Sequence, residues 1–421
     1  MKNINKIENI AIRIEKAGGR LYLVGGALRD KFLQRLHYDE DYCVTGITAE
    51  KFRSMFPEAK VQGKSFKVFI LEGKEFAMAR TEKKTGIGHK EFEIQTNENI
   101  TIQEDLKRRD ITINSIAQDV LTKEIIDPFL GQDDIKNKII RATSNNFIED
   151  PLRVYRVARF SAELGFKIEE NTIKMMNSLK QELKSLSKER VFVEFKKALA
   201  SNKPSLFFNA LREADVLEVH FKQIYDLIGA LQPEGYHPEG DSYNHTMICL
   251  DKSAQLTDRL EVRFATLVHD LGKGTTPKEE YPHHYGHEER GVILVEEFAK
   301  ELGIPNNWKK CGKTACKEHM RGGIFYKMKP SKKISFLEKV DKTYLGLEGL
   351  QVVVNCDKSR NEDIERKEEY NFSDIGKKCF EEVTAKKVGK KYGLAQGIEL
   401  GNKLHEERIK WLKENQSSSE E

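Results

Sequence analysis

Arg20-Leu21-Tyr22-Leu23-Val24-Gly25-Gly26-Ala27-Leu28-Arg29-Asp30, followed by Asp39-Glu40-Asp41, is the stretch from which the fold is read. Its first five residues have the composition of a strand, Gly25-Gly26 turns the chain, and Ala27 to Leu36 has a helical pattern. Asp39-Glu40-Asp41 then opens the next strand, Asp41 to Val44. In an extended strand, side chains two apart share a face, so Asp39 and Asp41 converge while Glu40 turns away. Two carboxylates so placed suit Mg²⁺, which takes one or two of them plus phosphate oxygens and water. Gly25-Gly26 brings bare backbone N–H groups to a helix start, where phosphates can approach, with Arg29 one turn on. A D-x-D pair alone is commonly an exposed turn and a Gly pair commonly just a turn. Their coupling in the order strand, glycine turn, helix, D-x-D is what carries information.

Outward from that stretch, helix patterns cover Ile4 to Ala17 and Ala49 to Phe56, and strand patterns cover Val68 to Leu71, Glu75 to Met78 and Glu91 to Ile94. This alternation predicts an α/β head with a mixed sheet over residues 1–142. After Asp150 apolar residues recur at three and four spacings, as in Val154, Val157, Ala158, Phe160 and Leu164, and the remainder reads as all-helical. The fold class expected is α+β: a head, then a helical neck and body over 143–232, a further helical domain over 233–360, and a helical tail over 361–421. The boundary is placed at the turn-rich Pro233 to Gly240. Ala79 to His89 is polar and glycine-punctuated and reads as a mobile loop, and Ser417 to Glu421 as a frayed end.

Three more motifs follow the head stretch: Arg108-Arg109-Asp110-Ile111-Thr112-Ile113-Asn114 behind Glu104-Asp105-Leu106, then Asp127-Pro128-Phe129-Leu130-Gly131, then Glu149-Asp150-Pro151-Leu152-Arg153 leading through Arg156 to Arg159-Phe160. In this order they resemble the class II tRNA nucleotidyltransferase and bacterial poly(A) polymerase family, along essentially the whole chain. The resemblance implies transfer of C and A nucleotides from CTP and ATP to the 3′ end of tRNA, with Asp39 and Asp41 holding Mg²⁺ and Gly26, Arg29 and Arg109 contacting the nucleotide. Asp150 and Arg153 by position would select the base, with Arg156 and Arg159 in the same nucleotide-binding row. Chemistry agrees, because a carboxylate accepts from the exocyclic amine of C or A and Arg donates to ring acceptors, whereas U and G present a carbonyl instead. On spacing, Asp150, Arg153 and Arg156 form a polar edge while Val157 and Phe160 face the core. An ordinary i, i+3 salt bridge explains the same spacing. Ala79 to His89 resembles the loop of full CCA-adding members, and Glu189 to Glu194 the neck motif, although a capped amphipathic helix reads equally well there.

His245, His269-Asp270, His287, His319 and Asp357 make a spaced set of metal-ligand types in the C-terminal half. His269-Asp270-Leu271-Gly272-Lys273 resembles an HD phosphohydrolase motif, with His245, His269 and Asp270 as metal ligands and His269 and Asp270 also catalytic. Imidazole with carboxylate suits Ni²⁺ or another transition metal better than Mg²⁺. His283-His284-Tyr285-Gly286-His287 resembles the same region of the multifunctional CCA-adding subgroup, whose HD domain has phosphatase, 2′-nucleotidase and 2′,3′-cyclic phosphodiesterase activities. Spacing does not say which of its three histidines reaches a metal. The competing readings are a poly(A) polymerase and an RNA-binding protein that has lost catalysis.

Composition bounds these readings. The 421 residues carry 71 Lys and Arg against 67 Asp and Glu, a net +4, which leaves a tRNA partner to local basic surface. Asn306 to Gly346 concentrates eleven basic and three acidic residues. No apolar run reaches membrane-spanning length, mean hydropathy is −0.60, and the amphipathic start does not read as a signal core. Six scattered cysteines without C-x-x-C suggest neither a disulfide framework nor a zinc ribbon, and a reducing cytoplasm fits. The expected state is a monomer or homodimer.

Overall fold

The computed structural model describes residues 6–35, 40–63, 67–84, 92–235, 237–358 and 371–416. The chain forms two compact units, residues 1–198 with 206–219, and 199–205 with 220–421.

In the first unit seven strands form one sheet in the order β3-β4-β5-β2-β1-β8-β9. They are β1 (Arg20–Val24), β2 (Asp41–Thr45), β3 (Lys60–Gln62), β4 (Val68–Leu71), β5 (Lys74–Met78), β8 (Ala117–Asp119) and β9 (Ile125–Ile126), while β6 (Thr81–Lys84) and β7 (Phe92–Gln95) pair separately. Only β2 and β5 run parallel, so the sheet is mixed, as read from the sequence. The alternating faces of β1 and β2 feed two cores. One holds Leu21, Tyr42, Val44 and a cluster of Phe52, Phe56, Phe69 and Phe76 beneath the helix Ala49–Met55. The other holds Tyr22, Val24, Cys43, Ile102 and Leu106 beneath the helix Ile102–Lys107. Burying each such aromatic or aliphatic side chain contributes about 1.5–3 kcal/mol. Asp41 lies on the Cys43 face of β2, at its end, and register places Val24 on one side of it and Glu75 on the other.

The sequence reading is met closely for β1, β4 and the helix Lys6–Lys16, and it differs in several places. The helix after the glycine turn ends at Phe32, four residues before Leu36, because Gln34 turns left-handed at φ 56°. Strands β3, β8 and β9 were not expected, being only two or three residues long. Within the polar stretch Ala79 to His89, Thr81–Lys84 is a strand held in register against Phe92–Gln95, and the remainder from Thr85 lies outside the described residues. One further short parallel pair joins Ile139–Ile140, ahead of the helical half, to Lys167–Ile168 within it.

The second unit is helical. Ser242–Leu256, Leu260–Val268, His287–Leu302, Asn306–Gly323 and Gly346–Lys358 pack around Phe264, Val268, Cys311, Ala315, Val353 and Val354, all buried. The division between the units falls between Leu199 and His220, ahead of Pro233 to Gly240. That turn-rich stretch is closed by the bridge Leu231↔Asp241, and Asp241 caps the helix Ser242–Leu256 by accepting from Asn244 N at 2.8 Å. It therefore belongs to the second unit. Among the described residues no helix is long and apolar enough to cross a membrane. All six cysteines are free and buried.

Candidate active sites

In the first unit the ends of β1 and β2, the loop after Lys107 and the helix Leu152–Leu164 border an open cleft of about 840 Å³. Nine of its lining residues are Arg or Lys and four are acidic, so an anion is the ligand its charge favours. Gly25 turns the chain at φ 71°, and a Cβ there would stand 2.9 Å from Arg109 Nη1. Glycine thus serves both the turn and the close approach of that guanidinium.

Buried carboxylates hold these arginines. Asp105, 1% exposed, accepts from Arg108 Nη2 at 2.7 Å through one oxygen and from Arg109 Nη2 at 3.1 Å through the other. Burial raises its pKa, but the two guanidiniums outweigh it and hold the carboxyl below its ordinary range. Asp110 binds Arg156 Nε at 2.8 Å and the Asn114 amide at 3.2 Å, and Asn114 in turn accepts from Arg29 Nη1 at 2.8 Å. Burial again pushes Asp110 up, while Arg156, Asn114 and Arg153 prevail and bring it down to about 2. Sequence reading passed over Asp105 and Asp110 as partners, although Asp105 precedes Arg108 and Arg109 by three and four residues, the spacing of helical neighbours.

Gly26, Arg29, Arg109, Asp150, Arg153, Arg156, Arg159 and Asp41 all line this one cleft. Asp39 lies outside the described residues. The expected helical edge differs in detail. Asp150 precedes the helix, accepts from Leu152 N at 3.0 Å and faces Arg190 Nη2 at 3.4 Å, so it is not part of a helical i, i+3 row. Arg153 is buried, donating to the carbonyls of Asn146 at 2.5 Å and Arg108 at 2.6 Å. Arg159 is buried against Glu194 at 2.5 Å and Glu163 at 2.7 Å. Val157 and Phe160 are buried as expected, and the Phe160 ring lies under the guanidiniums of Arg29, Arg156 and Arg159 at 5.1, 5.7 and 3.9 Å.

The second unit draws His245, His269, Asp270, His287, His319 and Asp357 into one buried cluster. The helix Leu260–Val268 stops just before His269, and Asp270 sits at φ −110° at the start of a 3₁₀ turn. The pair thus reaches inward from a helix end. A Cβ on Gly272 would lie 1.9 Å from the His287 carbonyl oxygen, so glycine at this position lets the two segments touch. His284 bonds Thr276 Oγ1 and the Leu231 carbonyl, both at 2.9 Å, and His283 stacks on Tyr285. His287 is therefore the histidine of its run that faces the cluster.

Each ring is anchored through Nδ1: His269 on the Thr266 carbonyl at 2.7 Å, His287 on the His284 carbonyl at 2.7 Å, His319 on the Ala315 carbonyl at 2.9 Å and His245 on Glu239 at 2.6 Å. A carbonyl or carboxylate oxygen only accepts, so in these rings Nδ1 carries hydrogen and Nε2 is the nitrogen turned into the cluster. His269 Nε2 lies 3.3 Å from Asp270 Oδ2, and His245 Nε2 3.2 Å from Asp357 Oδ1. Lys273 Nζ sits 2.6 Å from Asp270 Oδ2. The Nε2 atoms of His269, His287 and His319, both Asp270 oxygens and Asp357 Oδ2 are buried without an aligned hydrogen bond. Burial lowers the His269 imidazole, but Asp270 and Asp357 reverse this and hold it up to about 10, while they themselves stay well below the carboxylate range. Such a set attracts cations, and its nitrogen and oxygen donors fit a divalent transition metal. Glu239 and Cys249 also touch His245 and were missed; Cys249 is four residues along the same helix.

Models of three known domains match the chain: the Poly A polymerase head domain over residues 21–141, the probable RNA and SrmB-binding site of polymerase A over 165–227, and the HD domain over 242–343. The multifunctional CCA protein of Acinetobacter baylyi is 38% identical over 405 residues, 94% of this chain and 97% of that protein. The chain belongs to the multifunctional CCA protein family. Its relative in Shewanella denitrificans is 42% identical over 329 residues, covering 76% of this chain and 79% of that one. Among solved structures, the Thermotoga maritima CCA-adding enzyme complexed with tRNA has the same fold at TM-score 0.65 and 17% identity, over 98% of this chain and 92% of that one. The Bacillus stearothermophilus CCA-adding enzyme in complex with CTP gives 0.59 and 22% over 100% and 99%. The chain is thus an enzyme with a nucleotidyltransferase head and an HD domain, both of kinds that depend on divalent metal.

Proposed function

We propose that the head adds C and A to the 3′ end of tRNA from CTP and ATP in the arginine-lined cleft, and that the buried histidine–aspartate cluster hydrolyses phosphoesters. The observation that carries the first part is the convergence of Asp41, the Gly25-Gly26 turn, Arg109, Asp150 and Arg153 on one cleft. Asp39 and Asp41 would hold Mg²⁺, a hard cation suited to carboxylate oxygen, which supplies charge neutralisation at the reacting phosphate. Arg29 and Arg109, pre-oriented by Asn114 and Asp105, contact the triphosphate beside Gly26. Asp150 faces the base amine, and Arg153, fixed by two carbonyls, presents the base edge with it. Arg156 extends that wall, and Arg159 braces it through Glu194.

In the HD cluster His245, His269 and Asp270, together with Asp357, would hold a transition metal such as Ni²⁺, which would supply Lewis acidity there. Lys273 offsets the charge of Asp270. The reading divides the chain into a head over 1–142, neck and body over 143–232, HD domain over 233–360 and tail over 361–421, acting in the cytoplasm as a monomer or homodimer. Asp41→Ala is expected to lower nucleotide addition to truncated tRNA about 1000-fold, the loss of about 4 kcal/mol of transition-state stabilisation. Unchanged addition would overturn the metal assignment.

A further inference from the structure

Cys249 stands inside the HD cluster, against His245. It lies on the helix Ser242–Leu256 four residues after that histidine, the spacing that puts two side chains on one helix face. Its Sγ is 3.4 Å from His245 Nε2, and the residue is wholly buried. His245, Cys249 and His269 place one donor atom each within 4.8 Å of one another, and so do His245, His269, Asp270 and Asp357. The two imidazoles are therefore common to two donor sets, one completed by carboxylate oxygens and the other by a thiol.

A buried cysteine is usually a packing residue, and this one donates to the Cys356 carbonyl at 3.3 Å. Packing does not account for what surrounds the sulfur. It faces the nitrogen that His245 turns into the cluster, and His269 Nε2, at 0% exposure, has no aligned hydrogen bond. The Nδ1–H groups of the two rings are taken by Glu239 and by the Thr266 carbonyl, so neither ring can turn its Nε2 elsewhere without losing that bond. The spacing fits a shared ion. A metal bonded to sulfur at about 2.3 Å and to imidazole at about 2.1 Å, at tetrahedral angles, sets those two donors about 3.6 Å apart. Softness then separates the two sets, because thiolate with imidazole selects Zn²⁺ whereas carboxylate oxygen suits Mn²⁺.

We propose that Cys249 is a metal ligand of the HD site, completing a His245–Cys249–His269 set that takes Zn²⁺, while Asp270 and Asp357 complete the set that takes oxygen-preferring ions such as Mn²⁺. One site holds either class of ion through the same imidazoles, and the thiol determines which it keeps when both are present. Ligation breaks the S–H bond, the proton passes to solvent, and no oxidation state changes. This rests on the HD reading and deepens it.

The test uses the full-length chain carrying Asp39→Asn and Asp41→Asn, so that the head does not contribute metal. The metal-free protein is titrated with Co²⁺, whose thiolate complexes absorb in the near ultraviolet, and Zn²⁺ is then added in competition. One Co²⁺ per chain is expected, with a thiolate-to-cobalt band that Zn²⁺ bleaches. In Cys249→Ser, which keeps a donor for the Cys356 carbonyl, the band should vanish and Zn²⁺ affinity should fall by more than about 10-fold, while Mn²⁺ binds as before. Cys249→Val gives the same readout through an apolar side chain of similar size, so the outcome does not hang on one variant folding. Bound Co²⁺ without a thiolate band overturns the Cys249 assignment and spares the HD reading. A band that survives both substitutions belongs to another cysteine and overturns the assignment equally. No bound Co²⁺ overturns the HD reading as well.

Discussion

Single residues decide whether the cleft is preformed. Asp110 anchors Arg156 and, through Asn114, Arg29, and it is a carboxylate held at about 2 against an ordinary 3.8. A folded-state pKa below the unfolded one stabilises the fold fully above the unfolded value, and the contribution fades as pH falls through the folded one. The difference corresponds to about 2 kcal/mol. Asp110→Asn should therefore unfold about 2 kcal/mol more easily at pH 7 in denaturant titrations, and the gap to the wild-type chain should shrink steadily from pH 4 toward pH 2. A gap that stays constant over that range would mean the carboxylate charge is not what Arg156 requires.

Among elements, the helices Leu152–Leu164 and Lys188–Leu199 meet behind the cleft wall that the proposal assigns to the base, and the buried pair Arg159–Glu194 joins them. Removing one partner strands a buried charge, at a typical cost of about 3–5 kcal/mol. Glu194→Ala should lower the stability of the first unit by an amount in that range and impair addition. Glu194→Asp, which keeps the charge on a shorter arm, should lose less. Equal and small losses in thermal and denaturant unfolding would show the pair to be dispensable. Elements also mark how far the sequence could be read. Strand β4, whose burial alternates residue by residue, and β1, a short apolar run buried on both faces, were legible because their own side chains mark them. Two- and three-residue strands such as β3 and β9 were not, since pairing partners and not pattern define them. Arg153 looked like an exposed donor because helical spacing says nothing about the Arg108 and Asn146 carbonyls that arrive from elsewhere. Every histidine and aspartate of the HD cluster was visible as a ligand type. That Cys249 stands among them needed distances, and that Pro233 to Gly240 supplies Glu239 to His245 needed the fold.

For the whole molecule, each candidate site is built wholly from residues of its own compact unit. The two activities should therefore separate. Asp41→Ala should abolish addition and leave metal-stimulated cleavage of 2′,3′-cyclic AMP intact, and His269→Ala should do the reverse; a variant that loses both while remaining folded would contradict independent sites. The central claim is narrower, that one cleft accepts C and then A and stops. It is tested most directly by incubating the purified chain with a tRNA lacking its last three nucleotides, plus CTP and ATP, and sequencing the products. The account predicts a single dominant product extended by C, C and A, with U and G excluded. A ladder of successive A residues from ATP alone, or no extension, would contradict it.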